Sequence, residues 1–280
     1  MNMPYYPQTP AGVPTCYRHP DRQTYVSCTR CGRPVCPECM RSAAVGHQCL
    51  DCVAAAMAAA PTVRTAAGGV VRTGLPLISY GLIAINVMVF LLAKIAPVEQ
   101  AYRLALWPAL VATGDWYQLV TSTFLHFGLL HLLFNMYALY ILGPPLEGHL
   151  GRLRFGVLYG LSALGGSVLV YLFSQVNVPT VGASGAIYGL FGATFVASKK
   201  LNLDVRWLVG LIVVNLVLTF AVPGISWQGH IGGLIVGSVV AAAYVYSPRP
   251  RRNLVQAAAS IGVLIVLLVL IAMRTVALVG

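Results

Sequence analysis

Charge is scarce in this 280-residue sequence: Asp, Glu, Lys and Arg make up 9%, against about 25% in a soluble globular domain. With 58% hydrophobic residues and a mean hydropathy of +0.78, that scarcity excludes an ordinary soluble domain. Cysteine is missing after Cys52, which removes a thiol nucleophile from the whole apolar part of the chain. No HExxH occurs, so the common helix-borne zinc-protease mechanism is excluded. The seven acidic residues are Asp21, Glu38, Asp51, Glu99, Asp115, Glu147 and Asp204, and none is expected to pair with another inside an apolar run. An aspartyl mechanism is excluded, and a proton-path transporter or channel is disfavoured. The first fourteen residues, MNMPYYPQTPAGVP, hold no positive charge and no apolar core, so they are not read as a secretory signal peptide.

What the chain does have is apolar length. Seven stretches, at roughly 77–96, 126–148, 154–174, 183–198, 207–223, 227–247 and 256–273, read as membrane spans, the fourth of them short. Basic residues gather at alternate ends: Arg64 and Arg72 before the first span, Arg152 and Arg154 after the second, Lys199, Lys200 and Arg206 after the fourth, Arg249, Arg251 and Arg252 after the sixth. By the positive-inside rule the N-terminus is expected in the cytoplasm and the C-terminus outside, in a multi-pass cell-membrane protein of bacterial plasma-membrane type. The same rule accounts for the net charge of +11 without a nucleic-acid partner. The expected organisation is a disordered Pro-rich tail (1–15), a metal module (16–52), an Ala/Gly-rich linker with Pro61 (53–76), a six-span core (77–247), and a basic loop with a seventh span (248–280).

The metal module is four ligand pairs, Cys16-x2-His19, Cys28-x2-Cys31, Cys36-x2-Cys39 and Cys49-x2-Cys52. Eight thiolate and imidazole ligands suit two closed tetrahedral zinc sites, which supply folding energy rather than catalysis. The spacing resembles B-box-type fingers, in which pairs one and three share one metal and pairs two and four the other; sequential pairing satisfies the same spacing. His47 is a spare ligand. Such a module in a reducing compartment is expected to be a scaffold for cytoplasmic protein contacts.

Polar residues at membrane depth are costly, and each is a functional candidate. Ser184 lies between glycines in Gly182-Ala183-Ser184-Gly185, which leaves its hydroxyl uncrowded, although small residues also serve plain helix packing. His230, in GHIGG, is the candidate base for it. Rise per residue places Ser184 about 22 Å from Lys199 and His230 about 27 Å from Pro248, so the two lie at similar depth. His131 and Asn135 are one turn apart on one helix face and suit an oxyanion hole together with the Ser184 N–H; an interhelical hydrogen-bonding pair explains them equally. With no acidic residue near His230, a Ser–His dyad is expected rather than a triad.

Taken together, FLHFGLLHLLFNMYALY around His126, His131 and Asn135, GASGAIYG at 182–189 and GHIGGLIVG at 229–237 resemble the rhomboid family over residues 77–247. The resemblance implies an all-α polytopic bundle, six helices plus one C-terminal span, behind a small zinc-binding domain like that of some actinobacterial members. It implies an intramembrane serine endopeptidase that cuts transmembrane-helix substrates near the outer membrane face, with Ser184 as nucleophile, His230 as base and no cofactor for catalysis beyond two structural Zn2+. His131 and Asn135 resemble the oxyanion donors, His126 a supporting residue, and Tyr188 the ring that stacks on the histidine. The 97–125 segment resembles the family's first loop but carries Trp116-Tyr117-Gln118 where members commonly have aromatic-Arg. The alternative is a catalytically inactive relative that binds transmembrane helices.

Overall fold

The computed structural model of the protein describes residues 12–60, 63–71 and 74–280; the tail up to residue 11, Pro61 and Arg72 lie outside them. The chain divides into two units, Met1–Thr62 and Val63–Gly280.

The first unit is two small hairpins and a helix. β1 (Thr15–Cys16) pairs antiparallel with β2 (His19–Gln23), β3 (Met40–Ser42) with β4 (His47–Cys49), and α1 (Leu50–Ala59) follows directly. The Cys49 side chain accepts the Cys52 N–H and so caps α1. Its buried hydrophobic residues are Val35 and five cysteines, too few for a core of side-chain carbon alone.

The second unit is helical throughout: α2 (Leu77–Ile95), three short helices α3 (Val98–Tyr102), α4 (Pro108–Ala112) and α5 (Gln118–Thr121), then α6 (Leu129–Leu150), α7 (Arg152–Phe173), α8 (Ser184–Lys200), α9 (Arg206–Ala221), α10 (Trp227–Tyr246) and α11 (Arg252–Val279). α2, α6, α7, α10 and the segment around α11 are long and apolar enough to cross a membrane. α8, with 17 residues, and α9, with 16, fall at the fourth and fifth expected spans and are shorter than those five. The second span starts at Leu129 rather than 126, because Gly128 holds an extended backbone before it. The seventh is longer than the apolar run, reaching from Arg252 to Val279. This is a multi-pass membrane bundle.

α8 sits at the centre, and small residues let α10 and α7 reach it. A Cβ at Gly233 would overlap the Gly185 carbonyl, and one at Gly237 would overlap the Gly189 backbone. On the α7 side, a Cβ at Gly166 would come within 3.2 Å of the Gly185 Cα. Backbones this close gain dispersion contacts along the whole seam, which is how helices associate where lipid removes the hydrophobic drive. The outward faces of α2, α9 and α11 expose Leu, Ile and Val, as lipid-facing surfaces do.

Three buried polar side chains fix the surroundings. α6 runs on through Pro144 and Pro145, so Glu147 lies on the helix. Its carboxylate accepts from the Ile78 N–H (3.1 Å), the Ser79 N–H (2.8 Å) and the Ser79 hydroxyl (2.8 Å). α2 has no side-chain cap of its own, so Glu147 satisfies its orphan donors and meets its positive dipole end. Gln118, where an arginine was expected, is fully buried: its carbonyl accepts from the Trp107 N–H (2.9 Å) and its amide donates to the Arg103 carbonyl (3.2 Å). A neutral amide thus does the tethering in this loop. Gln256 donates to the Ala67 carbonyl (3.0 Å), and Ala67 is buried. Residues 63–71, expected as linker, therefore form a turn packed on the bundle, closed by Val71 N–H to the Val63 carbonyl (2.9 Å).

Candidate functional site

In the first unit the eight ligands separate into two groups, Cys16, His19, Cys36 and Cys39, and Cys28, Cys31, Cys49 and Cys52, the ligand atoms of each lying within 4.8 Å of one another. Pairs one and three meet, as do pairs two and four, which is the cross-braced arrangement. His47 belongs to neither group; it opens β4, and its backbone carbonyl accepts from the Thr29 hydroxyl (3.1 Å). The His19 Nδ1 lies 3.4 Å from the Cys36 and Cys39 sulfurs and 3.9 Å from Cys16. A tetrahedron with metal–sulfur distances of about 2.3 Å has edges of roughly 3.8 Å, so these groups fit a metal ion of that kind.

The electrostatics also favour a cation. Burial pushes the Cys16 thiol up, but the backbone N–H groups of Arg18 and Cys36 and the His19 ring outweigh it and hold the thiol at about 6. Cys28 is held at about 6 in the same way, by N–H groups of Cys49, Cys31 and Arg30. Beside them Cys39 is pushed up to about 11, chiefly by burial, and Cys52 to about 12, chiefly by the Cys49 sulfur. Thiolates this crowded resist a common charge unless a metal shares it. Arg33 adds positive charge to the second group, donating to the Cys31 sulfur at 3.3 Å and the Cys49 sulfur at 3.5 Å.

In the second unit the polar residues singled out in the sequence converge on one end of the bundle. Ser184 is the first residue of α8 and half-buried. Gly182 before it has φ +129°, a conformation in which a Cβ would be strained and would sit 2.7 Å from His131 Nε2. The Ser184 Oγ is 3.7 Å from that same point, so His131 and Ser184 face each other across the Gly182 Cα. The Gly182 N–H donates to the Ser122 carbonyl (2.9 Å), which ties this turn to the loop before α6.

On α6, Asn135 donates to the His131 carbonyl (2.8 Å), while its own side-chain oxygen is buried without a partner among the described residues. His126 lies in the loop before α6, its ring edge-on to His131 at 4.9 Å and both its nitrogens buried and unpartnered. Unsatisfied buried polar atoms are costly and collect at sites that bind something polar.

His230, on the first turn of α10, is the most closely held of the group. Its ring stacks on Tyr188 with centroids 4.0 Å apart and planes 12° from parallel. Its Nδ1 is 2.7 Å from the Thr219 hydroxyl of α9, which also lies 3.0 Å from the Tyr188 hydroxyl and 2.8 Å from the Asn215 carbonyl. A carbonyl only accepts, so Thr219 spends its single proton on Asn215. Thr219 then accepts from His230 and from Tyr188, the assignment that satisfies all three contacts. The proton of a neutral His230 is thereby fixed on Nδ1, and Nε2 is left with its lone pair. No hydrogen bond joins His230 to Ser184 in this structure, although the Gly185 backbone next to the serine lies against the Gly229 carbonyl next to the histidine. Thr219 escaped the sequence reading: threonine in an apolar helix ordinarily turns its hydroxyl to the carbonyl four residues back, as here, and nothing marks one that does more.

The family model for the rhomboid domain matches residues 113–247. The chain is 36% identical over 190 residues to the Rhomboid protease GluP of Bacillus subtilis, covering 64% of this chain and 37% of GluP. It is 32% identical over 146 residues to the Putative rhomboid protease YdcA of the same organism, covering 50% of this chain and 73% of YdcA. With the Inactive RHOMBOID-like protein 8 of Arabidopsis thaliana it shares 33% over 153 residues, 52% of this chain and 43% of that protein. The chain spans about a third to a half of the length of most relatives it matches. The likeness to YdcA extends over most of that protein, and the family model's match over 113–247 spans every polar group gathered around Ser184 and His230: the chain belongs to the rhomboid family.

Proposed function

We propose that the protein is an intramembrane serine endopeptidase in which Ser184 and His230 form a dyad. The observation that carries this reading is the Thr219–His230–Tyr188 contact, which leaves Nε2 of His230 basic beside the helix seam that holds Ser184. A substrate transmembrane helix whose end unwinds at this depth offers a free carbonyl, since a regular helix hides its carbonyls in internal bonds. Ser184 Oγ attacks that carbon and Nε2 of His230 takes the hydroxyl proton. The oxyanion collects donors from His131, from the second amide hydrogen of Asn135 and from the Ser184 N–H. His230 returns the proton to the leaving amine, and water activated by the same nitrogen then hydrolyses the acyl-enzyme. Thr219 stands where a triad would place a carboxylate, as a neutral acceptor that orients the ring.

Two structural zinc ions in the cross-braced groups of the first unit complete the reading, because three thiolates with an imidazole and four thiolates suit zinc and leave no open position for chemistry. The basic residues at alternate span ends favour a cytoplasmic N-terminus and an outward C-terminus, with the proposed dyad toward the outer face.

The test is covalent labelling of the detergent-solubilised full chain with a fluorophosphonate. Wild type is expected to label, and Ser184→Ala and His230→Ala are expected to lose it. Labelling that survives Ser184→Ala refutes the nucleophile. A folded wild type that never labels favours a helix-binding protein without catalysis, the reading supported by the missing Ser184–His230 bond and the similarity to an inactive relative.

A further inference from the structure

The arginines at the other end of the helical unit do more than orient the chain. Arg64 and Arg252 line, with Arg249 and Arg251, a cavity of about 520 Å3. Arg64 and Asn253 also border a second cavity, of about 780 Å3, that begins at Arg152 and Arg154 and continues between α7 and α11 past Val157, Leu161, Ile261 and Leu264. Among the described residues, Arg64, Arg154, Arg249, Arg251 and Arg252 form no ion pair. The acidic residues of this unit are Glu99, Asp115, Glu147 and Asp204; Glu99, Glu147 and Asp204 face Arg103, Arg152 and Arg206.

The cluster is built rather than scattered. Arg154 donates to the Gln256 carbonyl oxygen (2.6 Å) and to Asn253 (2.8 Å), which holds its guanidinium at the start of α11. The Arg64 guanidinium donates to the Gly68 carbonyl (3.1 Å), and the Arg252 side chain packs on Gly68. Nε of Arg252 is sealed from solvent with no hydrogen-bond partner. α7 and α11 run parallel: Arg154 meets Gln256 near their starts, and Tyr171 meets Thr275 (2.8 Å) near their ends. Both positive helix ends therefore point at the same place. Arg249 and Arg251 are exposed at the rim, whereas the half-buried Arg154 and Arg252 meet beside Gly68, and like charges held that close repel unless an anion joins them.

The shape says which anion. Beyond the arginines the second cavity passes Gln256, Ser260 and Tyr244 and is then lined by Val157, Leu161, Ile261 and Leu264, and Arg252 to Leu264 is about 18 Å along the helix, the reach of most of an acyl chain. A free phosphate has no use for that groove. We infer that the protein binds one anionic glycerophospholipid, its phosphate among Arg154, Arg249, Arg251 and Arg252 and one acyl chain in the α7–α11 groove. The site lies away from Ser184 and stands whether or not the protein is a protease.

Native mass spectrometry of the full chain in detergent, titrated with phosphatidylglycerol or phosphatidylcholine, tests this. Wild type is expected to retain one phosphatidylglycerol with at least about tenfold preference over phosphatidylcholine. The combined Arg249→Gln, Arg251→Gln and Arg252→Gln variant is expected to lose that preference, whereas Lys199→Gln with Lys200→Gln, basic residues outside both cavities, keeps it. Ala257→Phe obstructs the groove, changes no charge and lies on an exposed face of α11, and it too is expected to weaken retention. Equal retention of the two lipids, or equal loss in the lysine variant, overturns the site in favour of diffuse surface attraction. Inorganic phosphate displacing the lipid completely at millimolar concentration, with Ala257→Phe unchanged, overturns the lipid in favour of a free anion.

Discussion

The two units solve the problem of cohesion in opposite ways. Residues 12–60 bury five cysteines and Val35 and little else, so the atoms that hold the fold are the ligand atoms themselves. The helical unit is held by what its side chains lack: glycine at 185, 189, 233 and 237 lets α8 and α10 touch backbone to backbone. In the first unit the residues that could hold a metal are themselves the core. In the second, the backbone contact is made by glycines, and the residues of the proposed dyad sit at one end of that seam. Fold and chemistry are thus separable in one unit and inseparable in the other.

Metal removal should expose the contrast most strongly. Structural zinc contributes about 10–16 kcal/mol of apparent binding energy in small domains, so chelation should leave residues 12–60 open to proteolysis while circular dichroism of the bundle hardly changes. Loss of both together would refute the separation. In the bundle the matching insult is Gly233→Leu, whose side chain has no room beside the Gly185 carbonyl. A cost of about 3 kcal/mol, the upper part of the overpacking range, is expected, read as a lowered thermal midpoint with metal content unaltered. A variant as stable as wild type would mean that the seam yields.

A subtler cut separates orientation from cohesion. Thr219→Val keeps the shape and removes the acceptor for His230, so the labelling rate with fluorophosphonate should fall about tenfold, the worth of one neutral hydrogen bond. Thr219→Ser should restore it, and the thermal midpoint should move little. An equal defect in the serine variant would make the role one of packing. The smallest effect belongs to the surface of the first unit, where Arg22 donates to Glu38 at 2.7 Å and holds its carboxyl below the usual range of about 4.5. A lowered carboxyl stabilises above its ordinary value and ceases to as acid protonates it. The slight difference between wild type and Glu38→Gln in hydrogen exchange of residues 12–60 should therefore be present at pH 7 and close as the pH falls through the carboxylate range.

The five helices able to cross a membrane were legible because lipid demands long apolar runs, and the polar positions Ser184, His131 and His230 stood out because such residues are rare inside them. The eight ligands were legible by type and spacing, and their cross-braced pairing only through the likeness to B-box-type fingers, since spacing alone also fits sequential pairing. Glu147 falls inside the expected second span, but nothing in the sequence marks it as the cap of α2, a helix that begins some seventy residues earlier. Gln118 looked like a missing arginine, yet an amide with one acceptor and two donors can join two strands of a loop without carrying charge. The turn at 63–71 was invisible because what holds it, Gln256, lies far along the chain.

α9 keeps only Leu208 and Thr219 buried, and the second of these is the residue that steadies the imidazole. The helix least anchored to the bundle therefore carries the latch of its most exactingly held ring. Any tilt of α9 lifts the hydroxyl away from Nδ1 and frees the ring to spin or swap its tautomer. In the proposed dyad the base is therefore only as well oriented as α9 is seated.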